Sequence, residues 1–399
     1  MQTVNYKGTL HACYLGYITQ ALIVNLPPLL FVVFREKFGL SYTMLGSLVL
    51  VGFITQLIVD ALAIRFVDKI GQRTSAVIAH IFATVGMVML AFLPRLLPQP
   101  YVGLVIASVL FSIGGGLIEV LVSPIVEALP GDAKASAMSL LHSFYSWGQV
   151  LVIVLSTVAL LLVGHDRWFI LPLLWAVLPL VTMIRFTKVP LVPPVEESKR
   201  ISLKMLLSSR IFLIAMLLMV CSGAAEQAMA QWASLFAEKG LGISKTLGDL
   251  LGPCLFAVMM GIVRTLYGIK GQQINMHKTL VASCFLCILS FVITALVPIP
   301  AIALIGCSLC GLSVALMWPG MLSLTAAGYP AGGTAMFAMM ALGGDLGCSV
   351  GPWLTGVVAD ASSLHMGLLV GIVFPVMLLV GLFILKPLMK ARSMRGHVQ

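Results

Sequence analysis

Twelve apolar runs, each roughly 20–28 residues long, dominate this chain and leave it little choice but a bilayer. They fall near positions 10–34, 43–66, 74–93, 101–128, 137–163, 168–187, 211–236, 247–269, 279–297, 300–327, 334–360 and 365–386. At 1.5 Å per residue a helix of this length crosses a hydrocarbon core of about 30 Å. None of the runs alternates apolar with polar residues, so they read as helices and not as barrel strands. Composition agrees. The 399 residues are 60% hydrophobic and 10% charged, with a mean hydropathy of +1.08, whereas a water-facing surface needs far more charge. The expectation is an all-α integral membrane protein whose constant partner is the lipid bilayer.

The formal net charge of +10 invites a nucleic-acid reading, but the distribution of that charge opposes it. With the N-terminus placed in the cytoplasm, 18 of the 24 Lys and Arg residues fall in cytoplasmic segments and six outside. That asymmetry is the positive-inside signature; it places both termini in the cytoplasm and predicts no nucleic-acid partner. A cell (inner) membrane location follows as the expectation. Cys284-x-x-Cys287 and Cys307-x-x-Cys310 imitate a zinc-ribbon spacing. Both pairs lie inside apolar runs without a nearby His or carboxylate, so buried, inert thiols are expected and no metal or cofactor. The first run is too long for a signal-peptide core and is expected to be retained.

Polar residues inside the runs carry the functional information. In the fourth run, Ser112, Gly115, Glu119, Ser123 and Glu127 fall on one helical stripe while Leu117, Val120, Leu121 and Ile125 cover the rest. A carboxylate near the bilayer midplane costs at least about 2.5–3.5 kcal/mol, so Glu119 is expected to face a polar cavity. Glu226, Gln227 and Gln231 place a second such cluster in the seventh run, either lining a cavity or tied into a structural salt bridge. Gln20 and Asn25 in the first run either brace helices or line the pathway. His142 and Tyr145, spaced i, i+3 in the fifth run, share a face, and Tyr145 and Trp318 offer aromatic surface for a sugar ring or for packing. Asp60 reads as a gating carboxylate or as a group reaching the interface, and Asp345 as a cavity residue or the cap of a broken helix. Gly343, Gly347 and Gly351 make a small-residue stripe that admits a close neighbour.

After the second run comes Asp68-Lys-Ile-Gly71-Gln-Arg73. Asp68-x-x-Gly71-x-Arg73, in that position, resembles the loop signature of the major facilitator superfamily. Gly71 permits a tight turn, and Asp68 and Arg73 suit a gate that pairs in one conformation. The equivalent loop of the second half, Arg264-Thr-Leu-Tyr267-Gly268, keeps the arginine without the aspartate, so Arg264 joins the gating set. The halves echo each other: Phe34-Arg-Glu-Lys recurs as Phe236-Ala-Glu-Lys, and Gly116 and Pro124 recur as Gly311 and Pro319 at one offset of 195. The resemblance implies the major facilitator fold, twelve transmembrane helices in two pseudo-symmetric six-helix bundles with the site between them. Residues 1–187 form the first bundle, 188–209 a polar cytoplasmic linker, and 210–399 the second bundle with a short basic tail.

Gly116-Leu-Ile-Glu119-Val-Leu-Val-Ser123-Pro124, with Phe144-Tyr-Ser-Trp-Gly148 after it, looks like the fourth and fifth spans of the fucose–proton symporter family. Trp318-Pro319-Gly-Met-Leu-Ser323 and Gly343-Gly344…Gly351-Pro352 are similar to that family's tenth and eleventh spans. The resemblance implies a proton-coupled hexose carrier in which Glu119 links protonation to sugar binding. The chain departs from the pattern at the first-span aspartate, where only Gln20 and Asn25 stand, and at two asparagines whose places are taken by Ser123 and Tyr145. The expected function is therefore proton-coupled uptake of a small polar solute, most simply a hexose, by alternating access and as a monomer. Glu119 and Glu226 are the candidate proton sites. Gln20, Asn25, Ser123, His142, Tyr145, Gln227 and Trp318 are the candidate solute contacts, and Asp68, Gly71, Arg73 and Arg264 the candidate gate. Export of drugs or amphipathic metabolites is the alternative, suggested by the 22 methionines, and a non-transporting membrane sensor a remoter one. No phosphate-binding loop or nucleophile–base pair supports an enzyme.

Overall fold

The computed structural model describes residues 5–129, 134–192, 203–270, 275–329 and 333–396. These residues form helices and connecting turns, with no strand among them. The chain opens with α1 (Lys7–Leu29) and α2 (Phe31–Phe38), bent by 42° at Leu30. Pro27 and Pro28 supply the cause, since neither has an N–H for the helix ladder and each ring crowds a preceding carbonyl. Next come α3 (Tyr42–Ile70), α4 (Gln72–Leu96), α5 (Pro100–Ala128) and α6 (Lys134–Val163). The sixth apolar run divides into α7 (Ile170–Trp175) and α8 (Val177–Lys188). Gly71 makes the turn between α3 and α4 at φ 84°, a left-handed conformation that a Cβ would strain.

A short α9 (Leu203–Leu207) leads into α10 (Arg210–Ala230) and α11 (Ala233–Leu235), which pass into a π-helical turn at Phe236–Gly240. The next run is α12 (Lys245–Asp249), a π turn carrying Pro253 at Leu250–Cys254, and α13 (Leu255–Lys270). After α14 (Met276–Leu296) the tenth run is split into α15 (Pro300–Val314) and α16 (Met317–Gly328). Pro319 explains that split: it offers no N–H to the Ala315 carbonyl four residues back. The chain ends with α17 (Gly333–Ala361), α18 (Leu364–Leu369) and α19 (Val373–Gly396). Among the described residues ten helical segments are long and apolar enough to cross a membrane, eleven with the bent α1–α2 pair counted. The eleventh apolar run forms α17, one unbroken helix of 29 residues, so Asp345 caps no helix break.

Large apolar side chains on the outer surface, such as Leu96, Leu161, Leu162, Phe285 and Phe383, stand exposed in numbers that only a lipid environment tolerates. Inside, glycines set the helix spacing. A Cβ on Gly347 would stand 1.9 Å from the Val220 carbonyl oxygen, and one on Gly351 would stand 2.5 Å from that of Ala224. The glycine stripe of α17 thus lies directly on the α10 backbone, the close approach expected of it. All eight cysteines are buried as free thiols.

Residues before 190 and after 203 meet closely at one end of the helices. There the Asp360 carboxylate, at the end of α17, accepts from the Tyr42 and Thr43 backbone N–H groups at 2.9 and 2.6 Å and so caps α3. Lys239 pairs with Glu36 at the same end. Deeper in, Thr157 donates to Asp249 at 3.2 Å, and Asp249 is also held by Ser234 and by Lys245 at 2.7 Å. Trp232 Nε1 donates to the Pro352 carbonyl at 3.0 Å. At the opposite end Thr9 donates to the Pro190 carbonyl, and Ser209 shares a hydrogen bond with Tyr329.

Candidate functional site

Beyond the sealed end the helices part around a cavity of about 300 Å³, the lower bound of what small-molecule pockets usually occupy, roughly 300–1,000 Å³. Its floor is set by Val24 on α1 and Phe53 on α3. One wall carries Tyr17, Gln20 and Glu119, with His142, Ser143 and Tyr145 from α6 beside them. The facing wall carries Glu226 and Gln227 from α10, Arg264 and Tyr267 from α13, Trp318, Pro319 and Leu322 from α16, and Asp345 and Cys348 from α17. Aromatic faces thus alternate with a few fixed polar groups, the composition of a site for a small solute with both apolar and hydrogen-bonding surface.

Glu119 is held from the first span. Gln20 Nε2 donates to Glu119 Oε2 at 3.1 Å and to Gln56 Oε1 at 2.9 Å, so one amide ties α1 to α3 and α5. Gln20 Oε1 is buried without a partner. The amide fits because residue 115 is glycine: a Cβ there would stand 2.9 Å from Gln20 Oε1. The stripe read from the sequence therefore does place Glu119 on a cavity wall. Gln56, which contributes to the same network, has no motif around it to mark it out.

The opposite wall is organised by Arg264. Its Nη2 donates to Glu226 Oε2 at 3.0 Å, its Nε to the Ala315 carbonyl at 3.3 Å and its Nη1 to Ser146 Oγ at 3.3 Å. The Ala315 carbonyl is the acceptor that Pro319 leaves without a helical donor, so the guanidinium occupies the gap made by the helix break. Glu226 takes the salt-bridged alternative read from the sequence, its charge matched by Arg264 while it lines the cavity. Gln227 Nε2 reaches Glu226 Oε1 at 3.4 Å, and Gln231 Nε2 donates to Gln227 Oε1 at 2.8 Å and to the Val24 carbonyl at 3.3 Å. A buried amide chain therefore links the first span to the seventh.

Of the candidate solute contacts, Gln20, His142, Tyr145, Gln227 and Trp318 line the cavity. Asn25 and Ser123 are not among the lining residues. The Asn25 amide turns back onto the Ala21 carbonyl of its own helix at 2.8 Å, and Ser123 Oγ shares a hydrogen bond of 2.9 Å with the Tyr17 hydroxyl. Ser123 thus holds a lining residue in place. Tyr17 also meets the His142 ring edge-on, with centroids 5.4 Å apart. Trp318 lies flush against α17: a Cβ on Gly344 would stand 2.1 Å from its ring.

The candidate gating residues are dispersed. Gly71 forms the α3–α4 turn. Arg73 donates to the carbonyls of Phe186, Thr187 and Val189 at 2.9, 2.7 and 2.8 Å, neutralising the C-terminal end of α8 within the first half of the chain. Arg264 sits in the cavity wall and not at a loop. The side chain of Asp68 lies outside the described residues.

The sequence profile of the Major Facilitator Superfamily matches residues 13–352. No curated protein sequence matches the chain. Among solved structures, a D-xylose–proton symporter superposes with a TM-score of 0.74 at 18% identity, covering 95% of both chains. The E. coli fucose:proton symporter superposes at 0.67 and 15% identity, covering 95% of this chain and 99% of that one. A bacterial homologue of the human lysosomal transporter Spinster superposes at 0.75 and 14% identity, covering 95% and 96%. At such identities the likeness concerns the fold. The family match, spanning most of the chain, together with the helix architecture around a central cavity, makes this a non-enzymatic transporter of the Major Facilitator Superfamily.

Proposed function

We propose that the chain is a secondary active carrier that couples proton movement to the uptake of a small polar solute, a hexose being the first candidate. The observation that carries this reading is the Glu119 carboxylate, held by Gln20 on one cavity wall and faced by the aromatic and amide groups of the other. A carboxylate kept at this depth can take up a proton as the cavity closes and lose it as the cavity opens to water. Solute hydroxyls would exchange hydrogen bonds with Gln20, Gln227 and His142, while Tyr145 and Trp318 cover the apolar face of a ring. Glu226 acts here with Arg264 as a charge pair for solute and for helix positioning, and Glu119 as the proton carrier.

In this reading twelve spans form two six-helix bundles, residues 1–187 and 210–399, joined by the 188–209 linker in a monomer of the cell membrane. The basic segments place both termini in the cytoplasm. The cavity then opens toward the cytoplasm, with the Asp360, Glu36–Lys239 and Asp249 contacts closing the outer side. Among the described residues no methionine lines the cavity, which favours a solute read by hydrogen bonds over the drug exporter that the methionines suggested.

The test is uptake of a radiolabelled hexose panel into proteoliposomes, with and without an inwardly directed proton gradient. Accumulation of one sugar above its external level, abolished by a protonophore, is the expected result. Movement of no sugar under either condition contradicts the substrate class, and equilibration without accumulation contradicts the coupling.

A further inference from the structure

Beyond the floor of the solute cavity lies a second, smaller cavity of about 30 Å³, room for about two waters at roughly 10–15 Å³ each. Val24 and Phe53 line both cavities. Leu48, Val49 and Gly52 line the small one alone and stand nearer the capped start of α3, so it sits toward the sealed end. Its polar lining comes from Gln56 on α3, Ser108 and Ser112 on α5, and Gln231 in the turn between α10 and α11. The first three belong to one half of the chain and Gln231 to the other.

Two hydrogen-bond chains end at this cavity, and acceptor-only groups fix the direction of each. Gln20 Nε2 faces the Glu119 carboxylate at 3.1 Å, and its remaining N–H goes to Gln56 Oε1 at 2.9 Å. That leaves the Gln56 Nε2 donor over. Gln231 Nε2 spends both N–H groups, on the Val24 carbonyl at 3.3 Å and on Gln227 Oε1 at 2.8 Å. That leaves the Gln231 Oε1 acceptor over. Among the described residues neither leftover atom has a protein partner. Ser112 Oγ, on the same lining, is buried and also without one.

We propose that the small cavity binds a water that bridges the two halves, accepting from Gln56 Nε2 and donating to Gln231 Oε1 and Ser112 Oγ. Three hydrogen bonds are the usual complement of a buried water, and such a bridge is nearly as favourable as a direct bond. An alkali cation does not suit the site, because Gln56 presents N–H groups and not lone pairs. The water closes a circuit from Glu119 through Gln20, Gln56, Gln231 and Gln227 to Glu226, and so joins the two cavity walls through their floor. It is a second tie between the halves beside the Gln231–Val24 bond, and it must break whenever the sealed end opens. The inference rests on the fold and the cavity and needs neither a sugar nor proton coupling.

The test is X-ray radiolytic labelling of the protein in nanodiscs without solute. Water held against a side chain is converted to hydroxyl radical in place and oxidises that side chain even where bulk solvent does not reach. Phe111 is 3% exposed and lines the small cavity alone. It is expected to be oxidised quickly, whereas Phe256 and Phe291, fully buried and lining neither cavity, are not. After brief mixing with heavy-oxygen water, the oxygen gained by Phe111 is expected to remain light, the mark of slow exchange. A Cβ on Gly52 would stand 3.2 Å from Ser112 Oγ, so Gly52→Val fills the cavity and is expected to abolish the oxidation of Phe111. Ser112→Val fills it from the other helix and is read in the same way if the first variant does not fold. Gln231→Ala keeps the room and removes the acceptor of the second half, so exchange is expected to become faster. Phe111 oxidised no faster than Phe256, or oxidised equally in a folded filling variant, overturns the water site. Exchange unchanged in Gln231→Ala overturns the bridge. With no sugar and no gradient present, these results and those of the uptake assay fail independently.

Discussion

Replacing Arg264 with methionine tests whether the cavity wall is organised as described. The guanidinium serves three acceptors: Glu226 Oε2 at 3.0 Å, the Ala315 carbonyl at 3.3 Å and Ser146 Oγ at 3.3 Å. Methionine keeps much of the length and serves none of them. It strands a carboxylate whose side chain is 9% exposed, and breaking a buried ion pair from one side costs about 3–5 kcal/mol. The Ala315 carbonyl is orphaned too, because Pro319 cannot supply the missing donor, at about 1–3 kcal/mol. The two losses share one side chain and do not simply add. Glu226→Gln on the Arg264→Met background removes the stranded charge and leaves only the carbonyl cost, so it should recover on the order of 2–3 kcal/mol. The eight buried free thiols make the readout direct: a thiol-reactive fluorophore reports unfolding of detergent-solubilised protein on heating. The expected order of thermal stability is unaltered protein, then the double variant, then Arg264→Met. If Arg264→Met were as stable as the unaltered protein, or if Glu226→Gln lowered its stability further, the pairing argument would be wrong.

Three glycines give further tests. Gly347→Ala puts a methyl group 1.9 Å from the Val220 carbonyl oxygen; the forced separation of α10 and α17 should cost about 1–3 kcal/mol in the same thermal assay, and an unchanged midpoint contradicts the close packing. Gly115→Ala sets a Cβ 2.9 Å from Gln20 Oε1 and should displace the amide from Glu119, weakening solute binding about tenfold, the worth of one charge-assisted hydrogen bond. Equal apparent affinities in a counterflow assay would refute it. Gly344→Ala meets the Trp318 ring at 2.1 Å and should raise the apparent KM while the stability loss stays close to that of Gly347→Ala; an unaltered KM removes Trp318 from the solute site.

Much of the fold could be read from the chain because the bilayer makes each span long, apolar and internally hydrogen-bonded. The prolines added detail, since Pro27-Pro28 bends the first span and Pro319 breaks the tenth. Glu119 was legible because a carboxylate in an apolar run must be accommodated by something polar. Less could be said of small polar residues. Asn25 and Ser123 resemble solute contacts in sequence, yet one satisfies its own helix and the other a tyrosine hydroxyl, choices fixed by rotamer and not by residue type. Arg264 was read as a loop gate from the decayed loop signature; its position beneath the Pro319 break depends on how α13 crosses α15 and α16. Gln56 gave no signal at all, an amide among apolar neighbours in a run full of them.

The most direct test of the central claim is Glu119→Gln in proteoliposomes, assayed for both solute exchange and gradient-driven accumulation. Glutamine preserves the size and the hydrogen bond with Gln20 but neither takes up nor releases a proton. The account predicts that the variant still exchanges solute across the membrane at zero proton gradient and no longer concentrates it under an inward one. A variant that accumulates solute to the level of the unaltered protein would show that the coupling proton is carried elsewhere.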